Sequence, residues 1–233
     1  MISALPLSLA SPSGLVISER DRAFVVSFGE VVRACSWAIA HGGIVDAEHV
    51  AWLEVTNAEL GPTVDARAWL AERLRRERLA RAVGLLTSRR LTSRRDANVT
   101  VDGVTAFSIA TVGLGNALRA GDSPATLPTA STINVLVHVS QPLTDEGLLE
   151  ASAIATEAKS AALFDARIPS RRATGLATGT GTDCTVVTCP RAGFGRPPRA
   201  YAGKHTAIGA AIGGAVGRAL AEGISAWLVD VGA

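Results

Sequence analysis

Residues 133–139 read INVLVHV, a nearly continuous apolar run rich in β-branched side chains. A strand of that composition belongs in the interior of a sheet covered on both faces. The chain downstream supplies candidates for the cover. Thr144 or Asp145 is placed to cap a helix running to about Phe164, a second apolar strand follows at 184–189, and a small-residue helix runs from about Thr206 to Ala226. That last helix carries Gly209, Gly213, Gly214 and Gly217, a spacing that predicts close approach of neighbouring backbone or sheet.

Upstream, strands dominate. Residues 14–18 and 23–28 flank Glu19-Arg20-Asp21-Arg22 as a hairpin, and 31–39 continues as a strand ended by His41-Gly42-Gly43. Strands are expected at 83–88, 98–101 and 104–112, the last two joined by the turn dipeptide Asp102-Gly103. Between them, Asp65 to Val83 reads as a helix capped by Thr63 or Asp65, with Gly84 just past its end. Its arginines, continued by Arg89, Arg90, Arg94 and Arg95, form a basic face diluted by Glu72 and Glu77, which reads as a solvated face. Strands first and strand–helix alternation later predict an α/β (mixed α+β) fold. We expect a single domain over 1–233, with a mixed β-sheet and helices packed on it.

Composition narrows the function. Hydrophobic residues make up 48% of the 233, enough for a sizeable core, but aromatics are only 4%. A net charge of +2 and a single tyrosine, Tyr201, disfavour nucleic acid as a partner. The three cysteines, Cys35, Cys184 and Cys189, lack C-x-x-C spacing and suggest neither a disulfide framework nor a structural zinc site. The N-terminal MISALPLSLASPSG has no basic region, and no uncharged apolar run approaches a membrane span, so the expectation is a soluble cytoplasmic protein with no membrane partner. Oligomeric state is left open, with a homo-oligomer allowed.

Reactive groups concentrate in Thr174 to Ile208. Glycine and threonine alternate through Thr178-Gly179-Thr180-Gly181-Thr182 up to Asp183, and Lys204-His205-Thr206 opens the final helix. Glycine lets backbone and ligand approach closely. Lys159 and Lys204 are the only lysines in an arginine-rich chain, which marks both, because arginine cannot replace a compact titratable ammonium. The positive end of a helix favours a neutral imidazole and attracts an oxyanion, so His205 reads as a general base with Lys204 beside it. Asp183 could orient that imidazole, the threonines offer hydroxyls and Cys184 a thiol. TGTGTD lacks Walker spacing and precedes a strand, which argues against a phosphate loop.

Weaker candidates lie elsewhere. Asn116, in a Gly-framed turn, could donate to an oxyanion or cap a turn. Glu157 is expected to be buried or cleft-facing among alanines. Asp46, Glu48 and His49 superficially suggest a metal site but lack a second histidine at helical spacing. His41 reads as a turn residue.

In combination, Thr156-Glu157-Ala158-Lys159, the run Ala177 to Asp183, and Tyr201-Ala202-Gly203-Lys204-His205-Thr206 resemble the adenosylcobinamide amidohydrolase family. Gly113 to Gly121 with Asn116, and Thr132-Ile133-Asn134, fit in order. The resemblance covers most of the chain from about Arg33 onward. Cys184 stands where a small residue is expected. The resemblance implies hydrolysis of the amide joining the aminopropanol arm to the corrinoid ring of adenosylcobinamide, in corrinoid salvage. The cobalt then belongs to the small-molecule corrinoid substrate and no cofactor is required. Within that reaction, His205 is expected as base, Asp183 as its orienting partner, Lys204 or Asn116 as oxyanion donor, and water or Thr182 as nucleophile. Glu157, Lys159, Thr178, Gly179, Thr180, Gly181 and Tyr201 are expected to bind substrate. No metal site is expected; besides Asp46, Glu48 and His49, the set that could form one is Asp183, His205 and Glu157. The alternatives are a non-catalytic corrinoid-binding protein and a Gly-rich-loop acyl or phosphoryl transferase.

Overall fold

The apolar run at 133–139 lies inside a nine-stranded mixed sheet, counted among the described residues, with a parallel neighbour on one side and an antiparallel one on the other. The computed structural model describes residues 8–10, 15–56, 58–61, 63–124 and 131–232. The elements are β1 (Ser8–Ala10), β2 (Val16–Arg20), β3 (Ala23–Ser36), β4 (Gly43–Glu54), α1 (Ala66–Arg76), β5 (Val83–Thr87), β6 (Arg95–Val101) and β7 (Val104–Val112). They continue with β8 (Ala117–Leu118), β9 (Ile133–Val139), α2 (Asp145–Asp165), β10 (Gly179–Thr180), β11 (Cys184–Pro190) and α3 (Ala207–Asp230). The sheet runs β1-β2-β3-β11-β9-β7-β6, with β4 beside β3 and β5 beside β4. Gly14, the first residue of the expected strand 14–18, and most of the N-terminal segment lie outside the described residues.

The segments read as separate strands at 23–28 and 31–39 are one strand, β3, interrupted by a register shift between Ser27 and Val32. Gly29 sits in that irregularity at φ 72°, a conformation costly for other residues. The bend lets the two halves of β3 serve different neighbours: Ala23–Ser27 pairs with β2, and Val32–Ser36 with β11. The sheet thereby folds over itself. One core lies between its two halves, where Phe24 and Trp52 stack at 4.5 Å near Leu136 and Val186. A second lies under α2 and α3, with Val135 and Val137 facing Ile212 and Val216. A third lies under α1, around Leu70 and Leu74. Helices thus cover both outer faces.

Local signals place the helix ends. Thr144 accepts from Gly147 N, and Thr206 from Gly209 N, each capping its helix through a hydroxyl. α3 runs on to Asp230, past the expected Ala226, and is long and apolar enough to cross a membrane; its apolar face instead packs on β6, β7 and β9. α1 stops at Arg76 rather than Val83. Arg78 adopts φ 59° and Leu79 N donates to Leu74 O while Arg78 N donates to Arg75 O, a Schellman closure with Leu79 packed near Leu74. Val83 and Gly84 then open β5 instead of ending the helix.

Candidate active site

β9 and β11 are parallel neighbours that enter the sheet side by side, with Cys184 opposite Asn134. The segments leading into them therefore meet at one end of the sheet. Thr132 Oγ1 donates to Thr182 O at 2.9 Å, Thr182 Oγ1 donates to Ser131 O at 3.2 Å, and Ile133 N donates to Asp183 Oδ1 at 3.1 Å. The residue after β3, Trp37, reaches the same place: its Nε1 donates to Asp183 O at 2.6 Å. Ser131 Oγ accepts from Gly115 N at 2.9 Å, which ties in the chain beyond β7.

The Asp183 carboxylate takes four donors. Lys159 Nζ on α2 is 2.5 Å from Oδ2, Thr180 N donates to Oδ2 at 3.0 Å, and Ile133 N and the Thr180 hydroxyl donate to Oδ1. The Lys159 and Asp183 side chains are only 8% and 7% exposed. A pair this buried survives only when its remaining hydrogen-bonding capacity is filled, and here it is filled on the acid side. Of the four donors only the Thr180 hydroxyl can rotate away without moving the backbone or the ion pair. Gly179 makes room for the cluster: a Cβ there would lie 2.3 Å from Asp183 Oδ2 and 2.9 Å from Lys159 Nζ.

A cleft of about 590 Å³ opens beside this cluster. Ser131, Thr132, Asn134, Thr182 and Asp183 form its polar side, and Val55, Leu60, Leu85 and Leu86 its apolar side. Asn134 Nδ2 donates to Leu86 O at 2.7 Å and so ties the two walls together. Cys184 also lines the cleft, but burial pushes its thiol up to about 12, which leaves it a thiol rather than a thiolate at neutral pH.

Lys204 and His205 are elsewhere. They are exposed, in the turn before the Thr206 cap, and Lys204 Nζ pairs with the Glu157 carboxylate. Glu157 precedes Lys159 by two positions, about 200° around the helix, so the Lys204–Glu157 and Lys159–Asp183 pairs lie on nearly opposite flanks of α2. Glu157 is 53% exposed, against the expectation of a buried or cleft-facing carboxylate, and Lys159 takes the buried side. The expected Asp183–His205 pairing is not formed, because the four donors to Asp183 come from Lys159, Thr180 and Ile133. Tyr201 is 75% exposed; Ala202 N beside it donates to Glu150 Oε2 at 2.6 Å, which keeps this segment on the outer flank of α2.

The other expected residues divide similarly. Gly179 and Thr180 form β10, which pairs with β8, and Gly181 lines the cleft. Thr178 is occupied structurally, its Oγ1 accepting from Ala120 N at 2.8 Å. Asn116 is buried with Oδ1 unpartnered, and its Nδ2 is 3.8 Å from where a Gly181 Cβ would stand. Among the described residues no group of three or more His, Cys, Asp or Glu is placed to hold a metal ion. Asp46 instead pairs with Arg33 and Arg191, and His49 Nδ1 shares a hydrogen bond with Ser27 Oγ at 3.1 Å. Trp37 and Ser131 carried no sequence signal, being an ordinary strand end and a loop serine. Thr132 and Asn134 were visible only as part of the family pattern.

Charged, hydroxyl and apolar groups converging on one cleft are the composition of an enzyme pocket. The chain belongs to the adenosylcobinamide amidohydrolase (CbiZ) family, whose model matches residues 9–230. It is accordingly a hydrolase acting on a linear carbon–nitrogen bond. No curated protein matches the chain. Among solved structures it is similar to an L-aminopeptidase D-Ala-esterase/amidase from Ochrobactrum anthropi, described as a prototype for the serine aminopeptidases and a new variant among the Ntn hydrolase fold. The TM-score is 0.43 at 11% identity, covering 94% of this chain and 82% of that one. It is also similar to the PH0078 protein from Pyrococcus horikoshii OT3, with TM-score 0.45, 12% identity, and coverage of 97% and 82%.

Proposed function

We propose that the chain hydrolyses the amide joining the aminopropanol arm of adenosylcobinamide to its corrinoid ring. The products are adenosylcobyric acid and 1-amino-2-propanol, in a route that salvages incomplete corrinoids. The family match over residues 9–230 carries this reading. The cleft beside Lys159–Asp183 is where we place the reaction. Pockets for drug-sized ligands hold about 300–1,000 Å³; a whole corrinoid is larger, so the cleft takes the arm while the macrocycle rests at its rim.

An oxygen from water, or from Thr182 in a two-step route, attacks the amide carbonyl. The C–N bond breaks and the departing amine takes the proton of the attacking group; with water the ring side leaves directly as a carboxylic acid that ionises, and with Thr182 it stays bound as an ester. In the two-step route, water then cleaves the ester on Thr182. Among the described residues Asp183 is the only carboxylate lining the cleft, and rotation of the Thr180 hydroxyl frees a lone pair on it for relaying the proton. The Lys159 ammonium pairs with that carboxylate and places positive charge near the reacting carbonyl.

The test is incubation with adenosylcobinamide and detection of released 1-amino-2-propanol. Asp183→Asn keeps the shape of the side chain and is expected to slow release about 10²-fold or more while corrinoid still binds. Wild-type protein that binds the corrinoid but releases no aminopropanol overturns the hydrolase assignment for this substrate.

A further inference from the structure

Trp37 is the residue at the cleft for which the chemistry above has no use. The residue is 51% exposed and lines the cleft, whereas Trp52 is fully buried against Phe24. Its one polar atom is already committed, since Nε1 donates to Asp183 O at 2.6 Å. That bond fixes the indole at the mouth and leaves only its faces to meet a ligand. Arginine guanidinium groups lie over Trp69, Phe24 and Phe164, but among the described residues none lies over Trp37. The cleft that Trp37 lines also has aliphatic residues, Ile39, Val55 and Leu60, against which an apolar ring can rest.

We propose that Trp37 is a stacking platform for a flat conjugated part of the substrate, setting affinity for the corrinoid rather than the rate of bond cleavage. This rests on the cleft taking a corrinoid, as proposed above. Two parts of adenosylcobinamide are planar and conjugated, the corrin macrocycle and the adenine of the adenosyl group. Stacking on either uses the same exposed indole face.

The experiment is calorimetric titration of wild type, Trp37→Ala and Trp37→Phe with adenosylcobinamide and with dicyanocobinamide, which has no adenine. Values of kcat and KM for aminopropanol release are measured alongside. Aromatic stacking on a planar base is worth enough that Trp37→Ala is expected to raise Kd for adenosylcobinamide about tenfold. KM follows and kcat stays within about twofold. Trp37→Phe keeps a ring but loses the bond to Asp183 O, and is expected to recover most of the affinity. Equal loss for both corrinoids assigns the stack to the macrocycle; loss for the adenosyl form alone assigns it to adenine. If Trp37→Ala does not fold, Trp37→Leu, apolar but not planar, is expected to show the same loss. Unchanged affinity for both corrinoids overturns the proposal. So does a fall in kcat at constant Kd, or a Phe variant as impaired as Ala, either of which makes Trp37 a positioning residue for Asp183. Wild type that binds neither corrinoid also overturns it. Wild type that binds without hydrolysing rejects the proposed reaction and leaves the affinity comparison as the test of stacking.

Discussion

Lys159 and Lys204, the only lysines of the chain, each hold a carboxylate, and the two pairs sit on opposite flanks of α2. Lys159–Asp183 is buried, at 8% and 7% exposure, while Lys204–Glu157 is 71% and 53% exposed. Water screens the outer pair, and a pair of that kind contributes about 0–1 kcal/mol. The inner pair has given up hydration and depends on its partners being in place. Identical chemistry therefore does different things. The outer pair decorates a helix, and the inner pair locks the entry of β11 to that of β9 and holds a charged group beside a cleft. The reaction is proposed on the flank where removal of water makes charge expensive and consequential.

That contrast is most directly broken by removing one partner on each side. Lys159→Ala leaves a buried carboxylate uncompensated and is expected to cost about 3–5 kcal/mol, read from urea unfolding. A cost no greater than that of Lys204→Ala would mean that the inner pair is not what fixes this end of the sheet.

The histidines sharpen the same contrast. His138 is buried on β9, hydrogen-bonded through Nδ1 to Thr188 Oγ1 at 3.0 Å, and burial holds its pKa at about 4 against an ordinary 6.5. The folded state binds its proton less readily than the unfolded one. Stability is therefore fully present above about pH 6.5 and falls as pH drops toward about 4, by on the order of 3 kcal/mol in total. His138→Gln is expected to flatten the unfolding free energy over that window. An unaltered slope in the variant would assign the acid sensitivity to other groups. A smaller effect is expected from Gly179→Ala. Its Cβ would overlap Asp183 Oδ2, so the carboxylate must shift, at about 1–3 kcal/mol of stability with loss of aminopropanol release. Wild-type release by this variant would detach the reaction from the Asp183 cluster.

What could be read from the chain tracks how local each determinant is. The starts of α2, at Thr144 or Asp145, and of α3, near Thr206, and the β6–β7 turn at Asp102-Gly103, with φ 46° and 77°, depend on neighbours in sequence and are legible there. The end of α1 is local too, but Arg78 takes the left-handed position that glycine usually marks, so the helix reads too long. The bend of β3 is set by pairing with β2, β4 and β11 at once, and no single stretch reveals it. At the candidate site, the glycine–threonine run marked Asp183, and the scarcity of lysine marked Lys159 and Lys204 alike. Which groups meet was not readable. α2 has alanines around much of its circumference, so spacing alone does not decide whether Glu157 or Lys159 turns inward. Asp183 and His205 share one stretch of sequence but fall on different flanks because β11 and the following loop lie between them.

The smallest expected effects belong to the outer flank, and they test the placement of the site itself. Lys204→Ala and His205→Ala remove exposed groups, one of them from a solvent-screened pair, and each is expected to change stability by no more than about 0.5 kcal/mol. Aminopropanol release is expected to stay within about threefold of wild type for both. An imidazole acting as base must reach the attacking oxygen directly or through one water, and His205 shares no hydrogen bond with Asp183. If His205→Ala abolishes release while binding and stability persist, the reacting amide sits on the outer flank of α2. Lys159–Asp183 would then be an architectural lock, and the two pairs would exchange the roles given to them here.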